Sequence, residues 1–345
     1  MKVMIFDTKP YDRHYLDAEN QAYGFTLKFL ESKLTPDTAA LASGYDAVCA
    51  FVNDDICAET IDVLCRVGVK AIALRCAGYN NVDMKHAFNK IHVVRVPKYS
   101  PYAVAEHAMA LLMTLNRKTH RAYIRTRDNN FALNGLLGFD LHGKTAGVVG
   151  TGLIGRCFID ICRGFGMNII AYDPFPAKNT DITYADLDTV LSCADIISLH
   201  CPLTADNRHM INAESLKMLK PGAVLINTSR GALIDTDALV DALRNGTIAG
   251  AALDVYEEES DFFFEDHSNQ ILKDDRLARL LSFNNVIVTS HQAFFTHDAL
   301  QKIAQVTFTN LKAIASGETN LENEICYRCE QFGKECNKKR GKPCF

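Results

Sequence analysis

No stretch of this 345-residue chain approaches the roughly 20 consecutive apolar residues that a membrane-spanning helix requires. Nor is there a long basic stripe, and the net charge is −4, which argues against a nucleic-acid partner. The opening Met1-Lys-Val-Met-Ile-Phe-Asp7 lacks the long apolar region and small-residue cleavage site of a secretory leader, and reads instead as a short strand ending on an acid. Eight of the 12 cysteines, from Cys49 to Cys201, lie mostly within apolar strand or helix patterns. There they behave as small buried hydrophobes, and the expected setting is a reducing cytoplasm with no membrane contact.

What the chain does have is a complete dinucleotide fingerprint. An apolar strand, Ala146–Val149, runs into Gly150-x-Gly152-x-x-Gly155, a helical stretch follows, and a second strand, Asn168–Tyr172, ends on Asp173. Gly150 permits the tight turn, Gly152 lets the backbone approach a pyrophosphate, and Gly155 allows helix and strand to pack closely. The helix N-terminus offers free N–H groups and a positive dipole end to the phosphates. Asp173 stands roughly 20 residues beyond Gly155, where a carboxylate accepts both adenosine ribose hydroxyls. A negative charge there repels a 2′-phosphate, so NAD is favoured over NADP.

Strands alternate with helical patterns throughout. Val3–Phe6, Asp46–Phe51, Ala71–Arg75 and Val93–Val96 read as strands, and Ile56–Val67 as an amphipathic helix between two of them. Pro101 starts a long helix with Ser100 as its cap. The second series continues with Ile196–His200, Ala223–Asn227, Gly250–Asp254 and Val286–Thr289, and Thr296 caps a final helix over 297–316. The expected fold is α/β with two doubly wound parallel-sheet domains. A Rossmann NAD-binding domain, 100–297, is inserted into a flavodoxin-like substrate domain formed by 1–99 and 298–330, with hinges near Tyr99–Pro101 and Gln292–Phe295.

In such sheets ligands bind beyond the carboxyl ends of the strands. Arg230 follows one strand, three acids (Glu257, Glu258, Glu259) follow the next, and His291 follows another. A guanidinium fork fits a carboxylate bidentately. An imidazole can protonate a developing alkoxide, and a neighbouring carboxylate keeps it charged for that task. These are the parts for hydride transfer to an α-keto acid. Spacing does not decide which of the three glutamates serves. His200 also ends a strand, but with Cys201-Pro202 it reads as cofactor wall, and His297 reads as a surface residue at a helix start.

Residues 1 to about 322 resemble the D-isomer-specific 2-hydroxyacid dehydrogenases. The resemblance is carried by Arg75-Cys-Ala-Gly-Tyr-Asn-Asn-Val-Asp83, Val96-Pro-Lys-Tyr-Ser-Pro101, Val104-Ala-Glu-His107 and Gly150–Gly155. His200-Cys-Pro-Leu-Thr204, Asn227-Thr-Ser-Arg-Gly231, Asp254-Val-Tyr-Glu-Glu-Glu259 and His291-Gln-Ala-Phe294 complete the set. It implies Arg230, Glu259 and His291 as the catalytic three. It implies NAD held by the glycines, Leu153, Ile154, Asp173, Cys201, Pro202, Asn207, Thr228, Ser229, Arg230 and Asp254. It also implies a substrate carboxylate near Ala77, Gly78 and Tyr79, with Tyr99 and Phe294 beside a small side chain. Pyruvate as keto acid, D-lactate as product, and a homodimer or homotetramer built on the helix after Pro101 follow from the resemblance alone. A dinucleotide-sensing corepressor of the same fold would be expected to bring a peptide-docking cleft or long extensions. Here only a short tail is extra.

That tail, 323–345, carries Cys326-x-x-Cys329, Cys336 and Cys344 around Lys338-Lys339-Arg340. One C-x-x-C knuckle is half of a Cys₄ zinc site, and no second knuckle accompanies it. The expectation is a reduced surface tail outside the hydride-transfer machinery and no catalytic metal, with the four thiolates as the alternative ligand set.

Overall fold

Every pairing between strands of the computed structural model, which describes residues 1–318 and 321–327, is parallel. The strands fall into two units, one comprising Met1–Ser100 and the segment from Thr296 onward, the other Pro101–Phe295.

In the first unit β1 (Lys2–Ile5), β2 (Thr26–Phe29), β3 (Ala47–Ala50), β4 (Ala71–Leu74) and β5 (His92–Val94) form one sheet in the order β2-β1-β3-β4-β5. This is the flavodoxin-like order. The central strands β3 and β4 are buried at every position, as a sheet covered on both faces requires. Edge strand β2 alternates exposed and half-buried residues. The returning helix His297–Ala315 is capped by Thr296, whose hydroxyl accepts from the Ala299 N–H at 3.2 Å. It sinks Ala304, Phe308 and Leu311 into the core made by Val3, Ile5, Leu16, Ala47, Ala73 and Val94.

The other edge, β5, does not stay open. Asn323–Ile325 runs antiparallel to it: Arg95 N–H donates to the Asn323 carbonyl at 3.1 Å, and Ile325 N–H donates to Val93 at 2.8 Å. His92 Nδ1 lies 2.7 Å from Glu324 Oε1. The start of the tail, expected to be a loose surface segment, thus satisfies strand groups that an uncovered edge would present to other chains.

In the second unit β6 (Thr145–Val149), β7 (Asn168–Tyr172), β8 (Ile196–Leu199), β9 (Val224–Asn227), β10 (Gly250–Leu253) and β11 (Val286–Val288) take the order β11-β10-β9-β8-β6-β7. Tyr184 adds a single parallel bridge to Ala171 outside β7, with N–H groups of Ala171 and Ala185 completing it. Counting that remnant as a strand gives the Rossmann order 3-2-1-4-5-6, with β11 added as a seventh strand beside the sixth. The switch point lies between β6 and β8, where the fingerprint turn emerges.

The long helix Pro101–Arg117 packs against one face of this sheet. Ala105, Ala108, Met109, Leu112 and Leu115 recur at helical spacing and meet Ala146, Val148, Phe158, Ile196, Ile226 and Ala252. The helix Leu153–Gly164 has no side-chain cap at Gly152. With glycine in place of a capping side chain the cost is only about a few tenths of a kcal/mol. Burying Phe158 and Ile159 completely contributes roughly 1.5–3 kcal/mol each, so packing outweighs the bare end. No helix among the described residues is long and apolar enough to cross a membrane.

Candidate active site

The uncapped helix start is the first element of the site. Gly150 has φ +93°, and a Cβ there would lie 2.7 Å from the His200 carbonyl oxygen. A Cβ on Gly155 would lie 2.0 Å from the Gly150 carbonyl oxygen, so helix and turn touch backbone to backbone. Gly152 has no neighbour among the described residues within 4 Å of its missing Cβ, so its backbone is open to close approach. Turn, close packing and a free anion-binding face are the properties a pyrophosphate needs.

Asp173 ends β7 with Oδ2 accepting from Thr151 N–H at 2.7 Å and Thr151 Oγ1 at 2.9 Å, and Oδ1 accepting from Phe175 N–H at 2.9 Å. Burial would raise its pKa, but these donors and the Arg156 charge outweigh it and hold the carboxyl below the usual range. It is a fixed negative charge beside the glycine turn.

Further along the strand ends, Asn207 closes the Cys201–Asn207 loop, with Nδ2 donating to the Pro202 carbonyl at 2.8 Å and Oδ1 accepting from Thr204 N–H at 2.7 Å. Ser229 Oγ donates to the Cys201 carbonyl at 2.5 Å. The Thr228 hydroxyl is buried without a partner among the described residues. Burial pushes the Cys201 thiol up to about 11, so it is no nucleophile. Desolvation pushes His200 down to about 3, and its Nε2 pairs with Ser198 Oγ at 2.8 Å, so it stays neutral. Leu153 is half exposed at the helix start, and Ile154 packs on the core.

Three adjacent strands lead into the side chains expected to be catalytic. After β9, Arg230 is half-buried, and Nη1 donates to the Ser229 carbonyl at 2.6 Å. Among the described residues no carboxylate pairs with it. After β10 the three glutamates separate. Glu257 is taken by Arg208 Nη2 at 2.6 Å, His209 Nε2 at 2.7 Å and Thr236 Oγ1 at 3.3 Å, while Glu258 is exposed. Glu259 accepts from Tyr256 N–H through Oε2 at 3.0 Å and meets His291 Nδ1 through Oε1 at 2.8 Å. The structure therefore pairs Glu259, and neither of its neighbours, with the imidazole. The loops after β9 and β10 are in contact, for a Cβ on Gly231 would lie 2.0 Å from the Tyr256 carbonyl carbon.

With Nδ1–H donated to Glu259, the tautomer of His291 is set and Nε2 is the ring nitrogen left for a substrate. His291 itself has φ +52°, a left-handed backbone that costs of order 1–2 kcal/mol for a residue other than glycine. Asp254 offsets it. The His291 N–H donates to the Asp254 carbonyl at 2.7 Å, and the N–H groups of Gln292 and Ala293 donate to its carboxylate at 3.0 and 2.8 Å. Thr289 Oγ1 donates to the same carboxylate at 2.5 Å, and His107 Nε2 lies 3.3 Å from it. Burial works to raise this carboxyl, yet the bonds from His107, Thr289 and Ala293 leave it lowered. Both Asp254 oxygens thus shape the loop that carries His291. His107 and Thr289 were given no role from sequence; only His107, inside a motif already singled out, offered a signal.

The remaining expected substrate residues belong to both units. Ala77, Gly78 and Tyr79 follow β4 in the first unit as a half-buried loop, and Tyr99 is half-buried in the same unit. Phe294 is buried in the second, edge-on to Phe295 with ring centres 6.0 Å apart. His297 is in the first unit, 2.8 Å from the Tyr15 hydroxyl. Cys326 is half-buried with a free thiol, while Cys329, Cys336 and Cys344 lie outside the described residues. Among the described residues no three metal-ligating side chains come together.

Residues 109–293 match the NAD binding domain of the D-isomer specific 2-hydroxyacid dehydrogenases. The chain is 51% identical to D-lactate dehydrogenase of Escherichia coli over 94% of its own length and all of that protein. Its structure is similar to the pyruvate reductase of Chlamydomonas reinhardtii, with a TM-score of 0.87 and 42% identity over 94% of this chain and 98% of that one. It is also similar to the NAD-complexed D-isomer specific 2-hydroxyacid dehydrogenase of Lactobacillus delbrueckii ssp. bulgaricus, at TM-score 0.79 and 32% identity over 94% and 100%. An NAD-binding unit bearing an arginine and a glutamate–histidine pair on adjacent strand ends, with these relatives across nearly the whole chain, makes it a member of the D-isomer specific 2-hydroxyacid dehydrogenases, an NAD-dependent oxidoreductase.

Proposed function

We propose that the chain reduces pyruvate to D-lactate with NADH, and catalyses the reverse reaction. The observation that carries this reading is the half-buried Arg230 guanidinium after β9, without a carboxylate partner among the described residues, next to the Glu259–His291 pair that joins the ends of β10 and β11. Such a cation is suited to capture a carboxylate, and an imidazole oriented by Glu259 is suited to give up a proton. The names of the relatives, a D-lactate dehydrogenase and a pyruvate reductase, support the substrate.

Bound NADH supplies the hydride that reduces the carbonyl carbon. Arg230 grips the substrate carboxylate through its fork and polarises the carbonyl. His291 Nε2–H donates to the carbonyl oxygen and transfers its proton as the alkoxide forms, leaving a neutral imidazole that regains a proton from solvent. Glu259 keeps the ring oriented and stabilises its charged form. Asp254 fixes the loop on which the ring sits. The backbone of Ala77, Gly78 and Tyr79 is proposed to meet the substrate carboxylate, and Tyr99 and Phe294 are the aromatic side chains proposed for its small end.

NADH oxidation by pyruvate, followed by chiral analysis of the product, tests this directly. D-lactate as the single product supports the reading; L-lactate, or faster turnover of a bulky keto acid, refutes it. Asp173 and the Gly150–Gly155 turn are the groups suited to hold the cofactor's ribose and pyrophosphate. Two like charges about 4 Å apart repel by roughly 1–4 kcal/mol between bulk water and a protein surface. Asp173→Ala should therefore improve relative use of NADPH by about tenfold or more. Unchanged cofactor selectivity would remove Asp173 from the ribose site.

A second copy of the chain is the proposed partner. Tyr123, Ile124, Phe131, Leu133 and Leu137 leave large apolar side chains 59–88% exposed within one 15-residue stretch of the second unit. Sedimentation should give a dimer or tetramer, and a monomer at micromolar concentration would refute it.

A further inference from the structure

Arg95 stands just beyond β5, opposite the loop Ala77–Tyr79 that follows the neighbouring strand β4. Its Nη1 donates to the Ala77 carbonyl at 2.8 Å, and its guanidinium lies 5.0 Å from the centre of the Tyr79 ring. A planar cation that both donates and stacks fixes a loop at two points, which an ammonium cannot reproduce. Arg95 is in turn held from behind. Its N–H donates to the Asn323 carbonyl at 3.1 Å, and its carbonyl accepts from Asn310 Nδ2 at 2.9 Å. Asn323 Nδ2 closes the circuit on Asn310 Oδ1 at 2.9 Å. Asn310 is buried in the returning helix, and Asn323 belongs to the strap that covers β5. Every one of these residues lies in the first unit.

We propose that Arg95 is a positioning residue for substrate binding, and that the Asn323–Ile325 strap sets it. The inference rests on the proposed role of Ala77, Gly78 and Tyr79 in receiving the substrate carboxylate. The Ala77 carbonyl, tied to Arg95, orients the peptide planes that follow and so aims their N–H groups. The strap fixes the Arg95 backbone on one side and Asn310 on the other. Residues more than 220 positions beyond Arg95 in the chain thereby control the pitch of the substrate loop. The segment ahead of Cys326 acquires a task that its edge-covering role alone does not require.

The test uses the full chain with Arg95→Ala, Arg95→Lys and Asn323→Ala. A loop that grips the carboxylate equally in ground state and transition state governs KM more than kcat. Arg95→Ala should raise the pyruvate KM about tenfold with kcat within about twofold of the parent, leaving the NADH KM unchanged. Arg95→Lys should fall between the two, and Asn323→Ala should raise the pyruvate KM about threefold. In the double variant Arg95→Ala/Asn323→Ala the effects should not multiply, because both act through one contact. A lowered Tm with the parent's pyruvate KM in Arg95→Ala overturns the proposal.

Backbone hydrogen exchange over residues 76–80 provides a readout independent of turnover. Faster exchange in both Arg95→Ala and Asn323→Ala supports the clamp; exchange at the parent's rate overturns it. Failure of the parent to turn over any 2-keto acid counts against the proposed reaction, and the exchange result still decides the clamp.

Discussion

Replacing His291 with glutamine should lower pyruvate reduction by roughly 10²–10⁴-fold, the range contributed by a positioned general acid. The amide preserves size and a hydrogen bond to Glu259 but has no proton to give at neutral pH. Because the loop is tied to Asp254 through backbone N–H groups, the substitution leaves its frame in place. NADH binding, read from the fluorescence of the reduced nicotinamide, should stay within about twofold, since no proton donor is needed to hold the dinucleotide. Full turnover in the variant would assign the proton to another group. The parent enzyme should also show opposite pH trends. Reduction consumes the protonated imidazole and should fall as pH rises, whereas oxidation needs the neutral ring and should rise. Parallel profiles would contradict a single shared acid and base.

Arg230→Lys should lower kcat/KM for pyruvate by roughly 10²-fold, mostly through a higher KM. The guanidinium presents two parallel N–H donors to a carboxylate, and an ammonium is a point charge that meets one oxygen at a time. Losing one charge-assisted hydrogen bond costs about 1.5–3 kcal/mol, or roughly one to two factors of ten. Nη1 also holds the Ser229 carbonyl, so lysine forfeits the anchor that orients the fork as well. Arg230→Ala should lose more, and added guanidinium ion should restore part of the difference. An unchanged pyruvate KM in Arg230→Lys would end the case for carboxylate capture.

The fingerprint was legible because each of its parts is local. A glycine at φ +93°, a strand before it, and an acid after the next strand are properties of short segments, and periodicity and turn chemistry report them. Strand β2 was not expected from sequence. Thr26-Leu-Lys-Phe29 is four residues at a sheet edge, too short and too exposed to show a clear alternation. The remnant strand at Tyr184 was invisible for the same reason, since it contributes a single bridge.

The site divides the same way. Arg230, Glu259 and His291 follow strands, so the rule that ligands gather at strand ends pointed to them. Spacing alone left three candidate glutamates. Arg208, His209 and Thr236 engage Glu257, and these partners come from distant segments that no local pattern connects to it. The same holds for His107 against Asp254 and for Arg95 against Ala77. Each joins residues of different elements that no local pattern connects, and is decided by packing.

The first unit is written in two pieces, and that has a consequence for how the polypeptide emerges from the ribosome. Its opening strands carry Val3, Ile5, Ala47, Ala73 and Val94, whose core is completed by Ala304, Phe308, Leu311 and Leu321. At synthesis rates of about 5–20 residues per second, the roughly 200 residues between those groups take about 10–40 s to appear. The inserted NAD-binding unit is continuous, and can condense during that interval. The amino-terminal strands, by contrast, wait with part of their apolar surface uncovered until the last helix arrives. Chaperone engagement of nascent chains should therefore concentrate on those strands and end only once residues past 311 have left the exit tunnel.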